Sequence, residues 1–156
     1  MIASLKLYTT PGLKEITNSN ILKYHRLYNY DKTYIPTRSS LGGILIGKSI
    51  GTDNRVAKNE TLFQNKDPMV LVSAEIITPL PGQEIEGSFY FIDPRKPENP
   101  SLIQTQIITL SSEQQDTLIF QLPRPAAAWN NYGKYQFIIR MAATDETKSV
   151  FFNIYR

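Results

Sequence analysis

The chain has no cysteine among its 156 residues and only one histidine, His25. It therefore forms no disulfide or zinc–thiolate site and has no thiol nucleophile, and a lone imidazole cannot build a histidine metal cluster. A cysteine-free chain folds equally well in reducing and oxidising compartments, so composition leaves its localisation unknown.

Long apolar runs are missing as well. No stretch of the sequence approaches the roughly 20 apolar residues that span a bilayer, and residues 1–8 lack the continuous apolar run of a signal peptide. We therefore expect a soluble chain that does not insert into membranes.

Catalytic patterns are sparse. Residues 42–49 match the phosphate-loop pattern Gly-x-x-x-x-Gly-Lys-Ser, but apolar strand formers fill most of the variable positions and no helix pattern follows. A glycine-flanked strand is the better interpretation. Glu84 and Glu86 share one face of a predicted strand, and Glu75 is expected on the neighbouring strand. Paired carboxylates can act as the acid and base of glycoside cleavage. An exposed polar face is the simpler interpretation of these residues. We expect no enzyme activity, cofactor or metal.

Short β-branched and aromatic segments separated by turns dominate the sequence after residue 40. We predict strands at residues 41–48, 60–64, 69–78, 84–92, 102–110, 117–122, 134–141 and 149–155. The strand 84–92 should pair with 69–78 across the Pro-Gly turn between them. These seven or eight strands predict an all-β fold, an antiparallel two-sheet sandwich.

The segment that starts at Trp129 carries the strongest pattern. Its residues Tyr135, Phe137, Ile139 and Met141 alternate at the period of a strand, so we predict that they share a buried face.

The same segment, Asn131-Tyr132-Gly133-Lys134-Tyr135-Gln136-Phe137, resembles the Asp-x-Gly-x-Tyr-x-Cys signature of immunoglobulin-like domains. With Trp129, it is also similar to bacterial immunoglobulin-like and fibronectin-like domains, which mostly bind other molecules or act as spacers. The resemblance implies that the Tyr135 hydroxyl bonds to upstream backbone and that Phe89 or Phe91 is the core aromatic of strand C. Phe137 replaces the signature cysteine, so the disulfide is absent.

Charge and strand pattern predict an N-terminal arm, residues 1–40, and a β-sandwich, residues 41–156, which the resemblance implies is an immunoglobulin-like domain. Residues 1–66 contain ten Lys or Arg and four acids, whereas residues 67–156 contain seven and ten. Residues 16–34 suit either one or two helical turns or an extended arm.

The candidate binding residues are tyrosines and cations of the arm and two aromatic residues near the sandwich corner: Tyr24, Arg26, Tyr28, Tyr30, Lys32, Tyr34, Trp129 and Tyr132. Tyr and Arg favour a protein interface, so we expect a non-enzymatic module for protein binding or self-association through the arm and a sheet edge. Two alternatives stay open. Residues 1–66 can bind nucleic acid or another polyanion. Trp129 and Tyr132 can stack on a sugar, although a Trp that caps the core is the simpler interpretation.

Overall fold

A computed structural model of the chain describes residues 39–126, 129 and 131–156. In these residues the structure is all β and contains no helix. Its eight strands are β1 (Ser40–Gly47), β2 (Leu62–Gln64), β3 (Met69–Ile77), β4 (Glu84–Ile92), β5 (Ser101–Thr109), β6 (Thr117–Pro123), β7 (Gly133–Met141) and β8 (Glu146–Tyr155). They form a three-stranded sheet, β1-β3-β6, and a five-stranded sheet, β2-β8-β7-β4-β5. The predicted all-β, two-sheet fold is confirmed for the part of the chain described.

The two sheets pack face to face over one apolar core. Phe120 of β6 lies 5.3 Å from Phe137 of β7, measured between ring centroids, so the rings meet across the sheets. A Cβ atom on Gly87 of β4 would stand 2.5 Å from a Phe120 ring carbon, which explains why a residue without a side chain lies there. The predicted buried face of β7 is confirmed: its four residues, Tyr135, Phe137, Ile139 and Met141, are at most 3% exposed.

The predicted hairpin between β3 and β4 is wrong. β3 pairs with β1 and β6, whereas β4 pairs with β5 and β7. Residues 78–83 instead cross from one sheet to the other, and Gly82 N and Gln83 O bond to the backbone of Leu110, each at 2.8 Å. β3 and β4 thus lie in opposite sheets, and both contribute buried apolar residues to the core between the sheets. Glu75 therefore lies in the opposite sheet from Glu84 and Glu86, contrary to the sequence interpretation.

Two further details differ from the prediction. β2 pairs parallel with β8, so the sandwich is not wholly antiparallel. β8 begins at Glu146, three residues earlier than predicted, because the β7–β8 turn is short: Asp145 N donates to Met141 O at 2.8 Å. Asp145 takes a positive φ of 60°, which Asp tolerates better than most residues.

Candidate functional site

Within the described residues the two sheets have four edge strands, which differ in how their backbone groups are satisfied. At β1, side chains replace a neighbouring strand. Leu41 N donates to Glu146 Oε1 at 3.1 Å, Ile46 N donates to Asn59 Oδ1 at 2.9 Å, and Lys148 Nζ donates to Gly42 O at 2.9 Å. This edge is therefore covered, which is one way in which proteins prevent an added strand from pairing.

The β6 edge is covered by two glutamines of β5. Gln104 Nε2 donates to Gln121 O at 2.8 Å, and Gln121 N donates to Gln106 Oε1 at 3.0 Å. Pro123 at the end of β6 has no N–H to offer. The β2 edge is protected differently, because this strand has only three residues.

The β5 edge has few such protections. Its nine residues, Ser-Leu-Ile-Gln-Thr-Gln-Ile-Ile-Thr, include no charged residue, proline or glycine. β5 pairs with β4 on one side. Among the described residues, its backbone makes no hydrogen bond outside that ladder. Leu102, Ile103 and Ile107 are 56%, 43% and 62% exposed. Ile103 is one extra residue in the register with β4 and forms a bulge there. From Gln104 to Thr109 the ladder is regular. This edge is the candidate site.

Trp129 lies outside this edge, in the corner before β7. Its side chain is 4% exposed, and its indole Nε1 donates to Asp67 O at 3.1 Å. The ring stands edge-on to Tyr135 with 6.5 Å between centroids. Trp129 is thus placed as a cap on the core, and a sugar would meet only the small exposed part of its ring.

Tyr135 adopts the arrangement that the family resemblance implied. Its hydroxyl donates to Asn131 O at 2.8 Å, and its ring stacks on Phe152 with 5.2 Å between centroids. Burial, with a smaller contribution from Tyr132, raises the pKa of Tyr135 to about 12. Phe89 of β4 is fully buried and Phe91 is partly buried, so Phe89 is the core aromatic of that strand.

Tyr132 lies close to the start of β5. The Arg156 guanidinium stands 5.1 Å from its ring centroid, and the half-buried Tyr132 lines an open groove of about 450 Å³. Asp93, Arg95 and Ser101, the first residue of β5, line the same groove. The hydrogen bond from Arg95 lowers the pKa of Asp93 and keeps this exposed ion pair charged.

The arm residues predicted to bind a partner, Tyr24, Arg26, Tyr28, Tyr30, Lys32 and Tyr34, lie outside the described residues, as does His25. In the described part of the basic region, Lys48 is 3.1 Å from Asp67 and 3.6 Å from Glu60. Burial alone would raise the pKa of Asp67, but bonds from Gln64 N and Lys48 hold it below its usual value. This cation is therefore already engaged within the domain.

The other sequence patterns take structural positions. Residues 42–47 of the phosphate-loop pattern lie in β1, as the strand interpretation expected, and Gly47 packs against Val56 and Lys58. Glu86 lies 3.3 Å from Arg140, which also pairs with Asp145. The residues that the structure describes contain no helix with the length and apolar character of a membrane span.

Sequence reasoning expected an exposed sheet edge without locating it. It missed Ile103, Thr105 and Ile107, because the strand pattern alone does not say which strands end a sheet. One signal was present: β5 is a long strand without charges, which is unusual for an edge.

No family model and no curated protein sequence matches the chain. Solved structures similar to it include the PmoD soluble domain from Methylocystis sp. ATCC 49242 (Rockwell), at 11% identity and a TM-score of 0.43, covering 77% of this chain and 94% of that one. A β-glucosidase from Listeria innocua in complex with isofagomine has 11% identity and a TM-score of 0.43, covering 76% of this chain. A β-glucosidase involved in saponin metabolism from intestinal bacteria has 12% identity and a TM-score of 0.44. This chain spans 16% of either glucosidase. Similarity at this level assigns no function.

Proposed function

We propose that this chain is a non-enzymatic immunoglobulin-like module that binds another protein, or assembles with itself, through the edge of β5. The observation that carries the proposal is the contrast between edges: β1 and β6 are covered by side chains and β2 is short, whereas β5 is long, uncharged and uncovered by the described residues. The free N–H and C=O groups of such an edge can pair with an added strand.

The order of the strands supports the immunoglobulin-like part of the proposal. β1-β3-β6 corresponds to A-B-E of that fold, and β8-β7-β4 corresponds to G-F-C. Corner Tyr135 lies at the start of β7, the F position, and buried Phe89 lies on β4, the C position. In this correspondence β5 takes the place of C′, beside C, and so ends its sheet.

The exposed side chains of β5 support a protein partner. Ile103, Thr105 and Ile107 lie on the outer face of the five-stranded sheet, since they alternate with Gln104 and Gln106, which reach β6. Added backbone pairing here would also shield two exposed isoleucines from water. The tyrosines and cations of the N-terminal arm remain a predicted second contact.

The test places one lysine on the edge and one elsewhere. Ile107→Lys puts a charge on β5, and Ile77→Lys makes the same change on β3, where the isoleucine is 47% exposed. We expect Ile107→Lys to weaken self-association, or capture of a protein partner by the immobilised chain, at least about tenfold, because edge lysines oppose strand addition. Ile77→Lys should behave as the natural chain does. Sedimentation velocity over a concentration series and a binding assay measure both.

Equal association by both variants and the natural chain would contradict the proposal. Salt-sensitive binding of DNA or RNA that survives Ile107→Lys would instead assign the function to the basic residues 1–66.

A further inference from the structure

β5 is chemically symmetric about its central residue, Thr105. Moving outward, Gln104 matches Gln106, Ile103 matches Ile107, Leu102 resembles Ile108, and Ser101 resembles Thr109. When two copies of this strand pair antiparallel about a two-fold axis through Thr105, each of these matched residues lies opposite its match in the other copy.

We propose that the occupant of the β5 edge is a second copy of this chain. The two β5 strands pair antiparallel, with each Thr105 opposite its counterpart, and join two five-stranded sheets into one of ten strands. This inference rests on the proposed function, because it uses the same edge, and it adds the identity and register of the partner.

The pairs formed in this register are chemically compatible. On the outer face, Ile103 of each copy meets Ile107 of the other, and the two Thr105 side chains meet at the axis. Aliphatic and threonine pairs of this kind stabilise cross-strand contacts. A two-fold axis brings like charges together wherever charged residues lie near it, and β5 has none.

The loops that flank β5 favour the antiparallel arrangement. The loop before β5 contains Asp93, Arg95, Lys96 and Glu98 and is neutral, whereas the loop after it contains Glu113 and Asp116 and no cation. Antiparallel pairing sets the neutral loop of one copy beside the acidic loop of the other. Parallel pairing would set the two acidic loops side by side, where they would repel.

The geometry of the edge also sets the size of the assembly. Ile103 is the extra residue in the register with β4. The regular part of β5, from Gln104 onward, contains Thr105 and both neighbouring glutamines and so supplies the centre of the pairing.

Once the β5 strands have paired, the joined sheet ends at both sides in β2, which has three residues. Short edges resist further strand addition, so the assembly closes as a dimer.

The absence of cysteine makes a direct test possible. A single introduced cysteine can form a disulfide only with the same cysteine of a second copy of the chain. At Thr105→Cys, the two Cα atoms would lie about 4.5–5.5 Å apart, within the range of a disulfide. Thr109→Cys is the control on the same strand, also exposed. In this register Thr109 lies opposite Ser101 of the other copy. The two introduced cysteines would therefore be separated by eight residues along the strand, roughly 27 Å.

We expect mild oxidation of the full chain to give a disulfide-linked dimer for Thr105→Cys and none for Thr109→Cys. Efficient cross-linking of Thr109→Cys, or no cross-linking of Thr105→Cys, would overturn the proposed register.

A charge exchange tests the same register without oxidation. Thr105→Lys and Thr105→Glu each place like charges opposite each other at the axis, so each alone should lose the dimer in sedimentation velocity. Their equimolar mixture should recover a one-to-one heterodimer. Both variants lose the 2.9 Å hydrogen bond between Thr105 and Ser88, so recovery on mixing cannot come from that bond.

Three results separate this inference from the proposed function. Cross-linking and recovery together support the second copy as partner. If neither occurs but Ile107→Lys still abolishes binding of a different protein, the inference fails and the proposed function stands. If Ile107→Lys also leaves every association unchanged, both fail.

Discussion

At the scale of single residues, Tyr135 fixes the corner at which the chain enters β7. Its hydroxyl donates to Asn131 O at 2.8 Å, while its ring stacks on Phe152 and meets Trp129 edge-on. One side chain thus ties the turn to the core. Because the core face of β7 continues from this residue, the corner also helps to set which residues of the strand point inward.

Tyr135→Phe should keep the ring packing but lose the hydrogen bond, lowering the free energy of unfolding by about 0.5–1.5 kcal/mol at pH 7. The pKa of Tyr135 is about 12 in the folded protein, above the value of about 10 for an unfolded tyrosine. Its contribution to stability is therefore complete below pH 10 and is lost as the pH rises through 12.

Urea unfolding at pH 7 and pH 11 measures both effects. The difference in stability between the natural chain and Tyr135→Phe should shrink at pH 11. Tyr90→Phe, a change at a half-buried position on β4, serves as the control. If Tyr135→Phe unfolds at the same urea concentration as the natural chain at pH 7, the hydroxyl does not stabilise the corner.

The two aromatic residues of this corner show what local sequence can predict. The bond from Tyr135 spans four residues, so the Gly-x-Tyr spacing was enough to anticipate it. Trp129 bonds to a carbonyl 62 residues away. No local pattern carries that information, and the sequence left the core-capping and sugar-binding interpretations of Trp129 open.

At the scale of elements, β5 has a different role on each face. Gln104 and Gln106 point toward β6 and bond to the backbone of Gln121, whereas Ile103, Thr105 and Ile107 lie on the outer face. One strand therefore closes the edge of the opposite sheet with its side chains while its own backbone edge is left uncovered by the described residues.

Gln106→Leu should remove the acceptor for Gln121 N and lower the free energy of unfolding by about 0.5–1.5 kcal/mol. It should also open the β6 edge and increase light scattering on heating, because an uncovered edge favours aggregation. Thr109→Leu adds an apolar residue to the same strand at an exposed position and is the matched control. Equal urea midpoints and equal scattering for both variants would show that the glutamine does not cap β6.

Strand positions were predictable because they depend on local alternation, and most predicted bounds fall within one or two residues of the observed ones. Pairing was not. The Pro79-to-Gly82 segment looks like a hairpin turn, yet its neighbours β3 and β4 belong to different sheets. Residues 78–83 cross between the sheets instead, and the bonds of Gly82 and Gln83 to the backbone of Leu110 hold this crossing. Leu110 lies far along the chain, so no local pattern indicates that contact.

At the scale of the whole molecule, the order of the two sheets makes β5 the one long edge strand that the described residues leave uncovered. The sheets of the described residues have four edge strands, and local sequence cannot reveal which strands these are, because that depends on the order of the strands in each sheet. The candidate site was therefore beyond sequence reasoning, although the chemistry that defines it, nine uncharged residues in one strand, is visible in the sequence.

Hydrogen exchange of the β5 amides tests most directly the claim that this edge binds a partner strand. The amides of Ser101–Thr109 that point away from β4 should exchange quickly in dilute solution. They should become protected as the concentration rises, or when a partner protein is added, while the amides of β2 stay unchanged. If the β5 amides exchange at the same rate under all these conditions while the chain demonstrably associates, the partner binds elsewhere and β5 is not the binding edge.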